Sequence, residues 1–375
     1  MKRKFLSIVC LVLFAAVFAL SAAACNNKRT PAVYTLDPDR DFGIYWYNDE
    51  GERMLSEADM PVDFYDPAKP TVIYSHGWKV DLSAEALVTQ PSTREALGEL
   101  CGYRDYAAEL RAAGYNVGYF DWHLYAADLF ALQDEIWTVA TEIPEDGSNY
   151  AAALKALGGH TFAGEFAREI ATVMKDAENP SLHFVGHSFG GQMVIAAAYT
   201  LAMMYDEGLV VNPNCVPDRL SLADPYIPVA QLEGEMDVTG KTLNAALCTV
   251  NADAFALLNK KGTFIDLYGA MNFIYEQYYI LDDDIGTGAK AHEVILDNCA
   301  YVVLSGLNKL GSAATQHVNA RDYVLTNLVD GVAGEKGRLP FSVACSAEEG
   351  RQYVGVSYTQ LGPGFDWEET YYEVT

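Results

Sequence analysis

Apolar and polar positions along the chain fall into two alternating patterns. Short, nearly continuous apolar runs recur at "TVIYSHGW" (71–78), "NVGYFDW" (116–122), "LHFVG" (182–186), "RLSLAD" (219–224) and "GTFIDLYG" (262–269). Between them lie longer stretches with helical spacing. These include "YRDYAAELRAAGY" (103–115), with Tyr106, Leu110 and Ala113 on one side, "GEFAREIATVMKDA" (164–177) and "GQMVIAAAYTLAMMY" (191–205). A strand without polar alternation is covered on both faces, so the order predicts an α/β fold with a mostly parallel central sheet and helices on either side. Two connections, 125–160 and 226–260, are far longer than the usual six or so residues. Within the first, "YAADLFALQDEIW" (125–137) is amphipathic and predicts a cap helix. Residues 341–375, rich in Tyr, Val and Thr, predict peripheral strands.

The first 25 residues follow a different pattern. Lys2, Arg3 and Lys4 precede an apolar run from Phe5 to Leu20, and small residues lead to Ala22-Ala23-Ala24-Cys25. That is the layout of a secretory leader, ending in what looks like a bacterial lipobox. The expectation is export, with residues 1–24 removed and Cys25 lipidated. Plain cleavage after Ala24 is the alternative, because the usual lipobox has Leu where Ala22 stands. The polar stretch 25–42 reads as a tether, and 43–375 as one domain carrying insertions near 125–160 and 226–260. No later run approaches the ~20 apolar residues of a membrane span.

Charge narrows the partners. Without the three leader cations, 22 Lys and Arg face 51 Asp and Glu, a net charge near −29. So acidic a surface repels nucleic acid and anionic lipid surfaces. Membrane association is expected only through the N-terminal anchor. Besides Cys25, the mature chain has Cys101, Cys215, Cys248, Cys299 and Cys345. This odd number leaves at least one thiol unpaired. Neither a C-x-x-C pair nor H-E-x-x-H occurs, so no structural or catalytic zinc is expected, and no cofactor.

Candidate chemistry centres on "HFVGHSFGG" (183–191), where an apolar strand breaks into glycines around Ser188. The pattern G-x-S-x-G suits a nucleophile elbow, a strained turn that lifts a serine hydroxyl above the end of a sheet. A serine hydroxyl needs a base, and the base needs a carboxylate to fix its tautomer and stabilise its charged form. Only His292 and His317 lie downstream of Ser188. His317 follows an apolar run and a small-residue loop and precedes an amphipathic stretch, the position required of the base. His292 reads instead as the start of an element. Asp224, ending "RLSLAD" before Pro225, is the expected acid. Asp266 lies inside a strand, and Asp282, Asp283 and Asp284 read as a solvated acidic run or a calcium site. Acyl transfer also needs donors for the developing oxyanion. Backbone N–H groups of Phe189, after the serine, and of Trp78, in "HGW" after the strand 71–75, are the candidates.

Taken in order, "VIYSHGW", "NVGYFDW", "GEFAREIATVM", "LHFVGHSFGG", "RLSLADP" and "HVNARDY" resemble the pancreatic-lipase-type lipases of the α/β hydrolase fold. That resemblance implies carboxylic ester hydrolysis through a Ser188-Asp224-His317 triad, on acylglycerols or phospholipids. One long insertion would then serve as lid. Two departures stand out. Tyr226 replaces the alanine that usually follows the aspartate-proline pair, and the 125–160 insertion is longer than its counterpart. Two rivals carry the same residues, a non-catalytic binding lipoprotein on a hydrolase scaffold and a thioesterase, amidase or peptidase.

Overall fold

Residues 31–77, 105–126, 133–270, 285–304, 313–330, 341–360 and 367–370 are described in the computed structural model of the chain. Ten of their strands make one sheet. Its parallel centre runs, in spatial order, β4 (Asn116–Asp121), β3 (Thr71–Ser75), β5 (Leu182–His187), β6 (Arg219–Ala223), β9 (Phe264–Gly269), β10 (Ala300–Val303) and β11 (Ser357–Gln360). Antiparallel strands close both edges. β1 (Gly43–Tyr47) and β2 (Arg53–Leu55) lie beyond β4, and β12 (Trp367–Thr370) lies beyond β11. β7 (Gln231–Glu235) and β8 (Thr242–Ala246) form a separate hairpin. The chain passes from β3 to β4 on one side and then to β5 on the other. The order therefore reverses at β3, and such a switch point opens a crevice at the strands' carboxyl ends. The architecture is an α/β hydrolase fold.

Helices cover both faces. On one face lie α1 (Tyr106–Ala112) and α7 (Ala313–Asp330), which bury Tyr106, Leu110, Val324 and Leu328 with Phe341. The other face carries α2 (Asn149–Leu157), α3 (Phe162–Val173), α4 (Phe189–Asp206), α5 (Leu247–Lys261) and α6 (Ile285–Asp297). There Phe166 stacks on Phe120 at 4.5 Å and meets Phe184 at 5.0 Å, tying α3 to β4 and β5. Each such ring contributes roughly 1.5–3 kcal/mol by leaving water. Local chemistry sets the helix ends. Thr161 caps α3 by accepting from Gly164 N, and Gly262 ends α5 in the left-handed region at φ 103°. Ser346 and Glu349 form a capping box on the short α8 (Ala347–Arg351).

Several expectations change. Residues 32–42 are not a free tether. Ala32 N donates to Leu209 O at 3.1 Å, Phe42 is buried, and Arg40 pairs with buried Glu169 at 3.2 Å. Glu169 also accepts from Ile44 N at 2.7 Å, which anchors the start of β1. The cap helix expected over 125–137 is absent from residues 133–137, which form turns closed on the Asp134 carbonyl; 127–132 lie outside the described residues. Much of the 226–260 insertion is α5, the crossover between β6 and β9, so only the β7–β8 hairpin is additional. The two insertions meet, since Val139 N donates to Glu235 O at 2.9 Å. His292 lies in the interior of α6 rather than at an element's start, and burial pushes its imidazole down to about 4. Strands β11 and β12 do extend the sheet at its far edge.

Among the described residues, no helix is long and apolar enough to cross a membrane. Cys215, Cys248, Cys299 and Cys345 are buried free thiols, while Cys25 and Cys101 lie outside the described residues.

Candidate active site

Ser188 occupies the single step between β5 and α4, with φ 56° and ψ −121°. A non-glycine residue there costs on the order of 1–3 kcal/mol and persists only where its surroundings impose it. The surroundings are backbone. A Cβ on Gly190 would lie 2.1 Å from Ser75 O, and one on Gly186 would lie 2.4 Å from Gly190 O. The glycines thus let α4 start hard against the ends of β3 and β5. Ser188 N donates to Ala223 O at 3.1 Å, and its carbonyl accepts from Gly191 N and Tyr226 N. The turn is held from both sides, and the residue is buried at 8% exposure.

The H-G-W loop reaches the same spot. A Cβ on Gly77 would come within 2.7 Å of Ser188 Cβ, so this position brings the loop's backbone against the serine. Preceding it, His76 is locked as a neutral ring. Its Nδ1–H donates to Gly77 O at 2.7 Å, and its Nε2 accepts from Trp122 N at 3.3 Å. Trp122 also stacks on the imidazole and donates through Nε1 to His76 O at 3.1 Å. Trp122, directly after β4, therefore fixes the turn after β3. Trp78, the expected second oxyanion donor, lies outside the described residues. Phe189 opens α4, where the first backbone N–H groups have no partner within the helix.

Asp224 follows β6 at φ 44°, a left-handed conformation that aspartate tolerates better than most residues. Its backbone N–H donates to Tyr268 O at 2.7 Å, and Oδ1 accepts from Ala270 N at 3.0 Å, both at the end of β9. The free oxygen, Oδ2, lies 2.6 Å from His317 Nδ1. A carboxylate accepts, so Nδ1 carries a proton and Nε2 is the ring nitrogen left to face the crevice. His317 stands inside α7, four residues from its first residue, and not in the loop before it as the sequence suggested. Its side chain is about 20% exposed against 1% for Asp224, so the ring bridges a buried anion and an open crevice. Ser188 Oγ makes no hydrogen bond to the His317 ring; in the free enzyme such bonds are often long and tighten once substrate binds.

The other acidic candidates stand elsewhere. Asp266 is fully buried in mid-β9 and bound in two places to Arg219, at 3.2 and 3.0 Å. It also accepts from Ser221 Oγ and Tyr268 Oη. Asp282, Asp283 and Asp284 lie outside the described residues. One group of possible metal ligands occurs among the described residues, His160, Glu165 and Asp237. Arg168 already bridges the two carboxylates, at 2.5 Å to each.

Sequence reasoning missed two supports. Tyr226 stacks on Phe189 with centroids 4.5 Å apart, and its carbonyl accepts from Gln192 Nε2 at 2.9 Å. Gln192 Oε1 in turn accepts from Trp137 Nε1 at 3.3 Å, joining the 125–160 insertion to the elbow. His187 packs on His317 (centroids 4.5 Å apart, planes at 40°), and only its adjacency to Ser188 hinted at a role.

No family model and no curated protein matches this chain. Solved structures are similar to it at low identity. A Lactobacillus plantarum protein assigned as a carboxylesterase is 14% identical, with 70% of this chain and 88% of that one covered and a TM-score of 0.38. Esterase B from Lactobacillus rhamnosis, inhibited with a tributyrin phosphonate, is 16% identical over 85% of this chain and 94% of that one, with a TM-score of 0.31. Dienelactone hydrolase from Anabaena variabilis is 12% identical over 68% and 84%, with a TM-score of 0.29. At such identities and scores the likeness does not extend to an activity.

Proposed function

We propose that this protein is an exported, lipid-anchored serine esterase or lipase that hydrolyses carboxylic esters through an acyl-enzyme. The observation that supports the reading is a strained Ser188 at the end of β5 and, following the neighbouring β6, Asp224 bonded to His317 at 2.6 Å. Ser188 Oγ attacks the ester carbonyl while His317 Nε2 takes its proton. Asp224 holds the Nδ1–H tautomer and stabilises the imidazolium. The N–H groups of Phe189 and Trp78 receive the oxyanion. His317 then protonates the leaving alcohol, and water repeats the sequence to release the acid. Acylglycerols or phospholipids are the substrate class implied by the resemblance to pancreatic-lipase-type enzymes.

The mature protein should release nitrophenol from nitrophenyl esters, with long acyl chains turned over at least as well as short ones. A strong preference for short chains would move the assignment from lipase to esterase. Absence of turnover on every ester, with no labelling of Ser188 by a fluorophosphonate, would sink it in favour of a binding scaffold.

Anchoring has its own test. Mass analysis of protein extracted from membranes should find a diacylglyceryl group on an N-terminal Cys25. An unlipidated mature N-terminus at another residue would reject the anchor while leaving export intact.

A further inference from the structure

We propose that His187 is a positioning residue for the base, its ring N–H clamping the His317 main chain to the nucleophile turn; this rests on the ester-hydrolase reading above. His187 ends β5, directly before Ser188. Its Nε2 lies 3.0 Å from His317 O. A carbonyl can only accept, so Nε2 carries the proton and the contact is an N–H···O bond. The two rings also pack with centroids 4.5 Å apart and planes tilted by 40°. Burial, with His317 and Arg321 as lesser causes, holds the His187 imidazole neutral well below the ordinary histidine range.

The reason such a clamp is needed lies in the chain's connectivity. Ser188 and Asp224 are fixed by adjacent, hydrogen-bonded strands, β5 and β6. His317 comes from α7, which packs on the opposite face of the sheet from α4 and belongs to no strand. Its Asp224 bond fixes one ring nitrogen but leaves the ring free to swing about that contact. A second bond, from the residue next to the nucleophile to the base's own carbonyl, fixes where the main chain of the base stands relative to the serine. Asp224 thus orients the ring, and His187 sets its distance from Oγ.

A residue that only filled space would be replaced by any ring of similar size, so the donor and the volume are separated by substitution. His187→Phe keeps the ring and removes the N–H; His187→Gln keeps an N–H near the same place and removes the ring. His187→Phe should lower kcat on a nitrophenyl ester about 10- to 100-fold, the scale of a roughly 1 Å misplacement. KM and the thermal midpoint should stay near the parent's, and fluorophosphonate labelling of Ser188 should slow in parallel. His187→Gln should recover activity to within a few-fold. Should the Phe variant not fold, His187→Leu takes its place as the variant without a donor. Nitrogen-correlated NMR of the parent, which needs no variant, should show a neutral His187 ring protonated at Nε2.

Parent-like kcat in a folded Phe or Leu variant overturns the proposal. So does a Gln variant as slow as Phe at equal thermal midpoint, or a His187 ring protonated at Nδ1. In each case the parent's own turnover and labelling leave the ester-hydrolase reading standing. Its failure is recognised separately, by a parent that neither turns over esters nor is labelled.

Discussion

Ser188→Ala and His317→Ala should each remove nearly all ester turnover, a loss of several powers of ten, and the double variant should be little worse. The reason is that nucleophile and base act in one proton transfer, so losing either loses the step. Asp224→Asn should cost about four powers of ten, because an amide facing Nδ1 favours the tautomer that presents Nε2–H to the serine. Asn can still accept from Ala270 N through its carbonyl oxygen, so the β9 contact of Asp224 can survive and the variant should fold. His292→Ala is the control. It lies inside α6, packed on α5, and should leave turnover within a few-fold of the parent. Steady-state kinetics with circular dichroism on each variant decide the matter. A His292 variant as inactive as the serine variant, or an Asp224→Asn enzyme with parent-like kcat, would overturn the assignment.

Asp266→Ala should act in the opposite sense, removing the fold before the chemistry. Arg219, Asp266, Ser221 and Tyr268 form a buried set joining β6 to β9, and Arg219 also donates to Phe341 O and Ser342 O. Burial pulls the Arg219 pKa down, but the charge and hydrogen bonds of Asp266 outweigh it and hold the guanidinium charged. His183 stays neutral beside it, held well down by burial and then by Arg219. It donates to Ser221 Oγ, whose own proton goes to the carboxylate. Deleting Asp266 leaves a buried cation without its partner, a loss of about 3–5 kcal/mol. Equilibrium urea unfolding should show the midpoint fall accordingly. A midpoint unchanged from the parent would mean that the pair adds nothing to stability. Activity per folded molecule should survive, which separates Asp266 from Asp224 although the two lie on adjacent strands.

These two aspartates mark the boundary between what the sequence determines here and what tertiary structure decides. The apolar runs at 71–75, 116–121, 182–187, 219–223 and 264–269 are legible as strands because each is buried on both faces, and a strand in a doubly covered sheet has no polar alternation to mislead the reader. The glycines around Ser188 are legible for a similar reason, since backbone there approaches within distances that admit no Cβ. Other features were hidden. β1 and β2 lie at an antiparallel edge outside the strand–helix alternation, and the tether joins the body through buried Phe42 and through the Arg40–Glu169 pair, 129 positions apart. The start of α7 could not be placed from a stretch of small polar residues, so His317 moved from loop to helix. Which aspartate meets the imidazole and which the guanidinium was not a sequence property at all. Asp224 and Asp266 each sit in an apolar strand segment, and only the packing of α7 against the ends of β6 and β9 puts an imidazole beside one, while Arg219 on the neighbouring strand claims the other. Periodicity reports which residues leave water, whereas the pairing of charges depends on contacts between distant elements, and those exist only once the sheet has assembled.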